Sequence, residues 1–260
     1  MRSLTILASA ALLFSRLVSA APAAQPANLC SQERPLVRAL WQQGQFDAPA
    51  GVSAAMLDAS DGKLPELRQQ LAAMRPTEAA RWRQVAMLTA AFMGQSKLVE
   101  AMLDDGAEVD GRGMLPAFKS SFYRRATHDM AKDSRFGGAA GVKELTAAGV
   151  VNNQERPYGP AAFVAIQCGD AATLDVLLRH HVDIAWRLTP HSADALTLAT
   201  ISGQGAIVQR LLDHGADPCF DDHFIRSHRP GSSLASIGRK SGLSEPLVER
   251  LTCPAVSQSH

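Results

Sequence analysis

At 260 residues the chain has room for one large domain or two small ones. Apolar residues make up 46% and charged residues 20%, which supplies a substantial core and is typical of a soluble protein. The formal net charge is only +1, so the overall balance points neither to nucleic acid nor to an anionic membrane as the main partner.

Residues 1–20, MRSLTILASAALLFSRLVSA, read as a signal peptide. Arg2 supplies the positive start and Leu4 to Phe14 the apolar stretch, and Val18-Ser19-Ala20 fits the small-x-small exit that a signal peptidase admits. The apolar stretch is too short to span a bilayer and is followed by Arg16. Removing Arg2 and Arg16 brings the net charge of the mature chain from +1 to about −1. Residues 21–32 read as an Ala/Pro-rich linker. Cys30 follows Leu29, where a lipid-modified cysteine wants a small residue, and it lies far beyond the apolar stretch; lipidation is not expected.

From Glu33 onward the chain reads as all-α. PLVRALWQQG (Pro35 to Gly44) looks like a single capping helix. Three later stretches share one grammar: GQSKLVEAMLDDGAEVD from Gly94, GDAATLDVLLRHHVDIA from Gly169 and GQGAIVQRLLDHGADPC from Gly203. In each, an apolar residue (Leu98, Leu174, Val208) is followed by a pair (Met102/Leu103, Leu177/Leu178, Leu211/Leu212) that includes the residue four on, the i, i+4 face of a helix. The helix stops at Gly106, at His181 and at Gly215. Glycine ends a helix in the left-handed conformation without Cβ strain, and His181 in that place costs about 1 kcal/mol. Ahead of each first glycine runs a helix of small residues, with Ala90, Ala91, Ala165 and Ala199 permitting close approach. Two weaker copies centre on Gly62 and Gly137. The anchor glycines 62, 94, 137, 169 and 203 are thus spaced by 32, 43, 32 and 34 residues. SLASIGRKSGLSEPLVERL (Ser233 to Leu251) reads as a final degenerate pair.

These copies resemble ankyrin repeats, whose period is about 33 residues. LLDHGADP and MLDDGAEVD match that family's L-L-x-x-G-A-D ending, and the anchor glycines sit where it keeps its inter-helix glycine. The same endings and the extended connectors argue against a tetratricopeptide array. The resemblance implies a solenoid of about five helix pairs plus N- and C-terminal caps over residues 33–253, with a flexible tail at 254–260. The family's T-P-L-H opening is missing from every copy, so the hydrogen bonds it makes must be replaced or absent.

In such a solenoid the connectors are fingers, about 10 Å apart, that line one concave face. The large rings cluster there: Phe118, Phe122 and Tyr123 in the long step, Tyr158 and Trp186 in the next connectors, Phe220 and Phe224 after the last strong copy. Arg124, Arg125, Arg156, Arg187 and Arg226 flank them. Aromatics and arginine make binding hot spots, so Phe122, Tyr123, Arg124, Arg125, Tyr158, Trp186, Arg187, Phe220 and Phe224 are candidate partner-binding residues. The competing reading folds the rings back to seal joints between fingers. Trp41 and Trp82 fall on helices and are expected in the core. The insertion in the long step, around residues 111–130, is either a binding loop or a longer first helix.

Four cysteines in an exported chain suggest bridges. Repeats touch only their neighbours, and bridged Cα atoms lie within about 7 Å. On the repeat alignment Cys219 ends the last strong copy and Cys253 ends the cap stacked on it, so Cys219–Cys253 is the expected disulfide; Cys30 lies far away, and Cys168 is left free and half-buried. CFDDHFIRSH (Cys219 to His228) holds metal-ligating residue types, but no ligand spacing fixes a geometry, and a solvated loop is expected, with no metal and no cofactor. No catalytic motif stands out, which favours a non-catalytic role. The signal peptide and the Ala/Arg-rich usage point to a Gram-negative periplasm. Exported bacterial ankyrin proteins then imply two roles: an immunity protein occluding a secreted effector such as a type VI phospholipase, or an envelope accessory protein supporting a catalase. Either would be a monomer when free, gripping another protein by the finger face, without nucleic acid or membrane insertion.

Overall fold

The computed structural model describes residues 29–49, 51–132, 137–147, 152–185, 193–220, 225 and 232–253. They are mostly helical. In chain order the elements are α1 (Leu29–Gln42), α2 (Val52–Asp61), α3 (Leu64–Ala72), α4 (Pro76–Met93), α5 (Ser96–Asp104), β1 (Gly113–Leu115), α6 (Ser120–Met130), α7 (Gly138–Ala147), β2 (Arg156–Tyr158), α8 (Ala161–Cys168), α9 (Ala171–Arg179), α10 (Ala195–Ile201), α11 (Gly205–Asp213), α12 (Leu234–Lys240) and α13 (Glu245–Arg250).

The predicted helix–glycine–helix unit is present. Pro76 opens α4, where its missing N–H is no loss. Gly94 closes it at φ 77°, and the N–H groups of Gly94 and Gln95 return to the carbonyls of Ala91 and Ala90. The chain then reverses into α5, which buries Leu98, Val99, Met102 and Leu103 on one face. The pairs α2–α3, α8–α9, α10–α11 and α12–α13 are built alike. Gly203 shows why the turn residue is small: a Cβ there would lie 2.6 Å from the carbonyl oxygen of Ser241, in the turn between α12 and α13.

Among the described residues five pairs stack in series: α2–α3, α4–α5, α8–α9, α10–α11, α12–α13. First helices pack on first helices (α2 on α4, α4 on α8, α8 on α10, α10 on α12), and α5, α9, α11 and α13 follow one another alongside. The middle of α4 is buried on all sides, from Gln84 to Phe92, because it has a layer above and a layer below. Between second helices, each of the four joints carries an ion pair: Arg68–Asp105, Arg179–Glu100, Arg210–Asp175 and Arg250–Asp213, at 2.6–2.8 Å. Such exposed pairs contribute little energy each, and their constant placement marks the layer register.

Two expectations need correction. The copy centred on Gly137 does form helix–glycine–helix as α6 and α7, yet it takes no layer, because α4 packs directly on α8. A layer needs two apolar faces, and α7 has only Val142 buried among its residues. Instead, β1 and β2 pair antiparallel, with Gly113 opposite Tyr158 and Leu115 opposite Arg156, so α6 and α7 lie between the two strands of one connector. The fifth layer is the C-terminal pair α12–α13.

The second correction concerns the N-terminus. The helix begins at Leu29, inside the expected linker, and it does not cap the array as a lone second helix. It crosses the ends of three first helices. Cys30 is bonded to Cys168 at the end of α8. Arg34 donates from Nε to the carbonyl of Phe92 at the end of α4, 2.8 Å. Arg38 holds Asp61 at the end of α2 through two hydrogen bonds of 2.7 and 2.9 Å. The spacing i, i+4, i+8 puts all three on one side of α1. α1 advances about 6 Å between them, less than the roughly 10 Å between packed helices, and the long arginines span the difference. Arg34 also meets the negative end of the α4 dipole.

Candidate binding surface

The long connector is built from a buried amide and a pair of β-strands. Gln84 on α4 donates to the carbonyls of Glu108 and Gly111 (3.0 and 2.9 Å) and accepts from the N–H of Glu108 (2.9 Å). This one side chain satisfies backbone groups in the connector that the sequence left without an obvious partner. Past β1, the insertion turns back onto the N-terminal segment. Phe46 and Phe118 form a β-bridge, with Asp47 N–H to Ala117 O and Lys119 N–H to Gln45 O, both 2.7 Å. The side chain of Asn153 clamps Phe118, accepting from its N–H at 2.9 Å and donating to its carbonyl at 2.8 Å.

Inside this junction the rings run in a chain. Trp41 to Phe46 is 4.0 Å between centroids, Phe46 to Phe118 is 5.0 Å, and Phe118 to Phe122 is 5.3 Å. The Phe46–Phe118 and Phe118–Phe122 spacings are those of favourable aromatic pairs. Trp41 and Trp82 lie in the core, as expected.

Phe122 therefore fails as a surface anchor: it is 4% exposed and packs into that chain of rings. The reason is amphipathic. Phe122, Ala126 and Met130 recur every four residues and form the inward face of α6. Tyr158 is half-buried against the core, and its phenol pKa is pushed up by burial first and by the Glu33 carboxylate second. A shift in that direction means the hydroxyl end is the enclosed part. Tyr158 thus belongs to the seam between connector and α1. Tyr123 is half-buried on the core. These rings follow the joint-sealing alternative.

Three candidates are open to solvent. Arg124 and Arg125 are exposed on α6, and Phe220 is 46% exposed, next to Cys219. Trp186, Arg187 and Phe224 lie outside the described residues, as do most of the residues of CFDDHFIRSH. Among the described residues, no group of three or more His, Cys, Asp or Glu side chains could hold a metal ion.

Cys219 and Cys253 form the expected disulfide, with Cα atoms 5.2 Å apart, and it ties the last layer to the preceding connector. Cys168 is not free. It pairs with Cys30, Cα atoms 5.1 Å apart, and both are 1% exposed. The expectation failed because it placed α1 beyond the first layer, whereas α1 reaches across three. Cys30, Arg34 and Arg38 at helical spacing were the available signal. Two disulfides are the chemistry of an oxidising, exported compartment. Among the described residues no helix is long and apolar enough to cross a membrane. No protein-family model matches this chain, and no curated protein matches it closely enough to be a relative.

Proposed function

We propose that this chain is a non-catalytic protein-binding module of the ankyrin-repeat kind, exported to a bacterial periplasm, and that it serves as an immunity protein occluding a secreted effector. The observation that supports the reading is the five-layer stack tied by two disulfides, Cys30–Cys168 at its middle layer and Cys219–Cys253 at its C-terminal end. Serial stacking without long-range closure builds a stiff extended surface rather than an enclosed reaction chamber. Stapling suits a protein that must hold its shape outside the cell's reducing interior. A stiff surface loses little freedom on binding, which is what an occluding inhibitor requires.

The aromatic ladder is not part of this reading for Phe122 and Tyr158, whose rings are used internally. What remains for contact on the described surface is the exposed side of the insertion and the region of Phe220.

The test is contact competition. A strain lacking the chain is expected to be killed by its isogenic parent, and to be rescued by the full chain but not by a copy lacking residues 1–20. Equal survival of the deletion strain would remove the immunity role. Co-purification of the exported chain with a catalase would instead support the envelope-accessory role.

A further inference from the structure

We infer that the exposed flank of α6 is a docking surface for an acidic protein surface; this rests on the binding-module reading and names its partner's chemistry. Ser121, Arg124, Arg125, His128 and Lys132 are all exposed. Their spacing places them along one flank of α6 and its terminal turn, over about 16 Å. Three of them, Arg124, Arg125 and Lys132, are basic side chains.

These cations contrast with the arginines of the stack. Arg38, Arg68, Arg81, Arg179, Arg210 and Arg250 are each held by a carboxylate at 2.6–2.8 Å. Among the described residues no carboxylate lies within ion-pair distance of Arg124, Arg125 or Lys132. The flank is therefore not explained by register between layers. Nor does packing explain it, since α6 buries its opposite side through Phe122, Ala126 and Met130. The helix also stands outside the five layers, so the stack can pass from α4 to α8 without it.

Concentrated positive charge on a nearly neutral chain attracts the complementary sign and repels its own. Guanidinium groups match carboxylates in a fork geometry, and Ser121 adds a hydrogen-bonding hydroxyl. A membrane surface fits less well. Interfacial helices turn apolar side chains outward into lipid, whereas those of α6 point into the protein. Nucleic acid fits less well too, because a phosphate-tracking protein is basic over a broad field and this chain carries a net +1.

The experiment uses the full mature chain with its disulfides formed. Fluorescein-labelled decaglutamate is titrated by anisotropy, and vesicles containing phosphatidylglycerol by co-sedimentation. Wild type is expected to bind decaglutamate with an affinity that falls as salt rises. Arg124→Glu with Arg125→Glu is expected to weaken it about tenfold or more. Lys97→Glu with Lys240→Glu makes the same change in net charge at exposed positions away from α6, and is expected to change it by less than about twofold. Unchanged thermal unfolding of both variants separates binding from folding.

Equal weakening in both double variants overturns the inference, since charge alone would then explain it. So does the absence of peptide binding, or binding to the vesicles without binding to the peptide. An envelope partner retained equally by wild type and the Arg124→Glu/Arg125→Glu chain also overturns it, while leaving the binding-module reading standing. Equal survival in the contact assay removes the immunity role instead, and the peptide titration still judges the surface.

Discussion

Cys30 and Cys168 are 138 positions apart in sequence and bonded in space, joining the start of α1 to the end of α8. The bond fixes α1 across the second and third layers as well as the first. A long closed loop restricts the unfolded chain strongly, so this crosslink should count for more than its C-terminal counterpart, which closes a separation of 34.

The chain-entropy relation gives about 5 kcal/mol for the Cys30–Cys168 loop and about 4 kcal/mol for Cys219–Cys253. Cys30→Ser with Cys168→Ser is therefore expected to lower the denaturation midpoint more than Cys219→Ser with Cys253→Ser. Urea titration of the two double variants checks the order. A larger loss from the C-terminal pair would show that α1 is not held as described.

The pH response should have a signature at α2. Hydrogen bonds from Arg38, followed by smaller charge effects, hold the Asp61 pKa below its ordinary value, against the opposing effect of burial. A carboxylate lowered in the folded state stabilises above its unfolded pKa of about 3.9 and loses that contribution as pH falls through the folded value. Asp58, on the same helix, is raised by burial first, so its effect has the opposite sign: folding gains as pH falls. Asp61→Asn is expected to flatten the acid limb of stability, and Asp58→Asn to steepen it. Unfolding midpoints measured from pH 7 down through the carboxylate range decide this, and the same slope change in both variants would contradict it.

How much of this was legible in the sequence depends on whether the information was local. The helix pairs were readable because each carries its own stop, as at Gly94 and Gly169, and its own apolar face, as at Leu98 and Met102. The displaced pair α6–α7 was not, because it obeys the same local grammar and differs only in what packs on it. One buried residue on α7 was the clue, and it is a weak one without the neighbours. Within the candidate site, Phe122 was misplaced for the same reason. Phe122 and Arg125 sit three positions apart on one helix, and composition cannot tell inward from outward. Helical phase could have done so, since Phe122, Ala126 and Met130 share a face that excludes Arg124 and Arg125.

His181 is the one non-glycine residue at positive φ among the described residues, at 58°. It occupies the helix stop that Gly106 and Gly215 fill in the equivalent positions, at φ 92° and 87°. A side chain in the left-handed region costs about 1–2 kcal/mol, and glycine recovers most of it while adding some unfolded-state entropy. His181→Gly is expected to stabilise the chain by about 0.5–1 kcal/mol. A lower denaturation midpoint would mean that the imidazole contributes a contact worth more than the strain.

Two phenylalanines separate the roles assigned to the rings. Phe118 is buried between Phe46 and Phe122, its backbone clamped by Asn153. Phe118→Ala opens a cavity and is expected to destabilise by about 3–5 kcal/mol. Phe220 is 46% exposed, and Phe220→Ala is expected to cost far less stability, no more than about 1 kcal/mol. If Phe220 belongs to a contact surface, its removal lowers partner affinity at unchanged stability, as expected of an anchor exposed before binding. Measuring both quantities on both variants tests the division: a large stability loss at Phe220, or a neutral Phe118→Ala, would reverse which ring supports the fold and which faces outward.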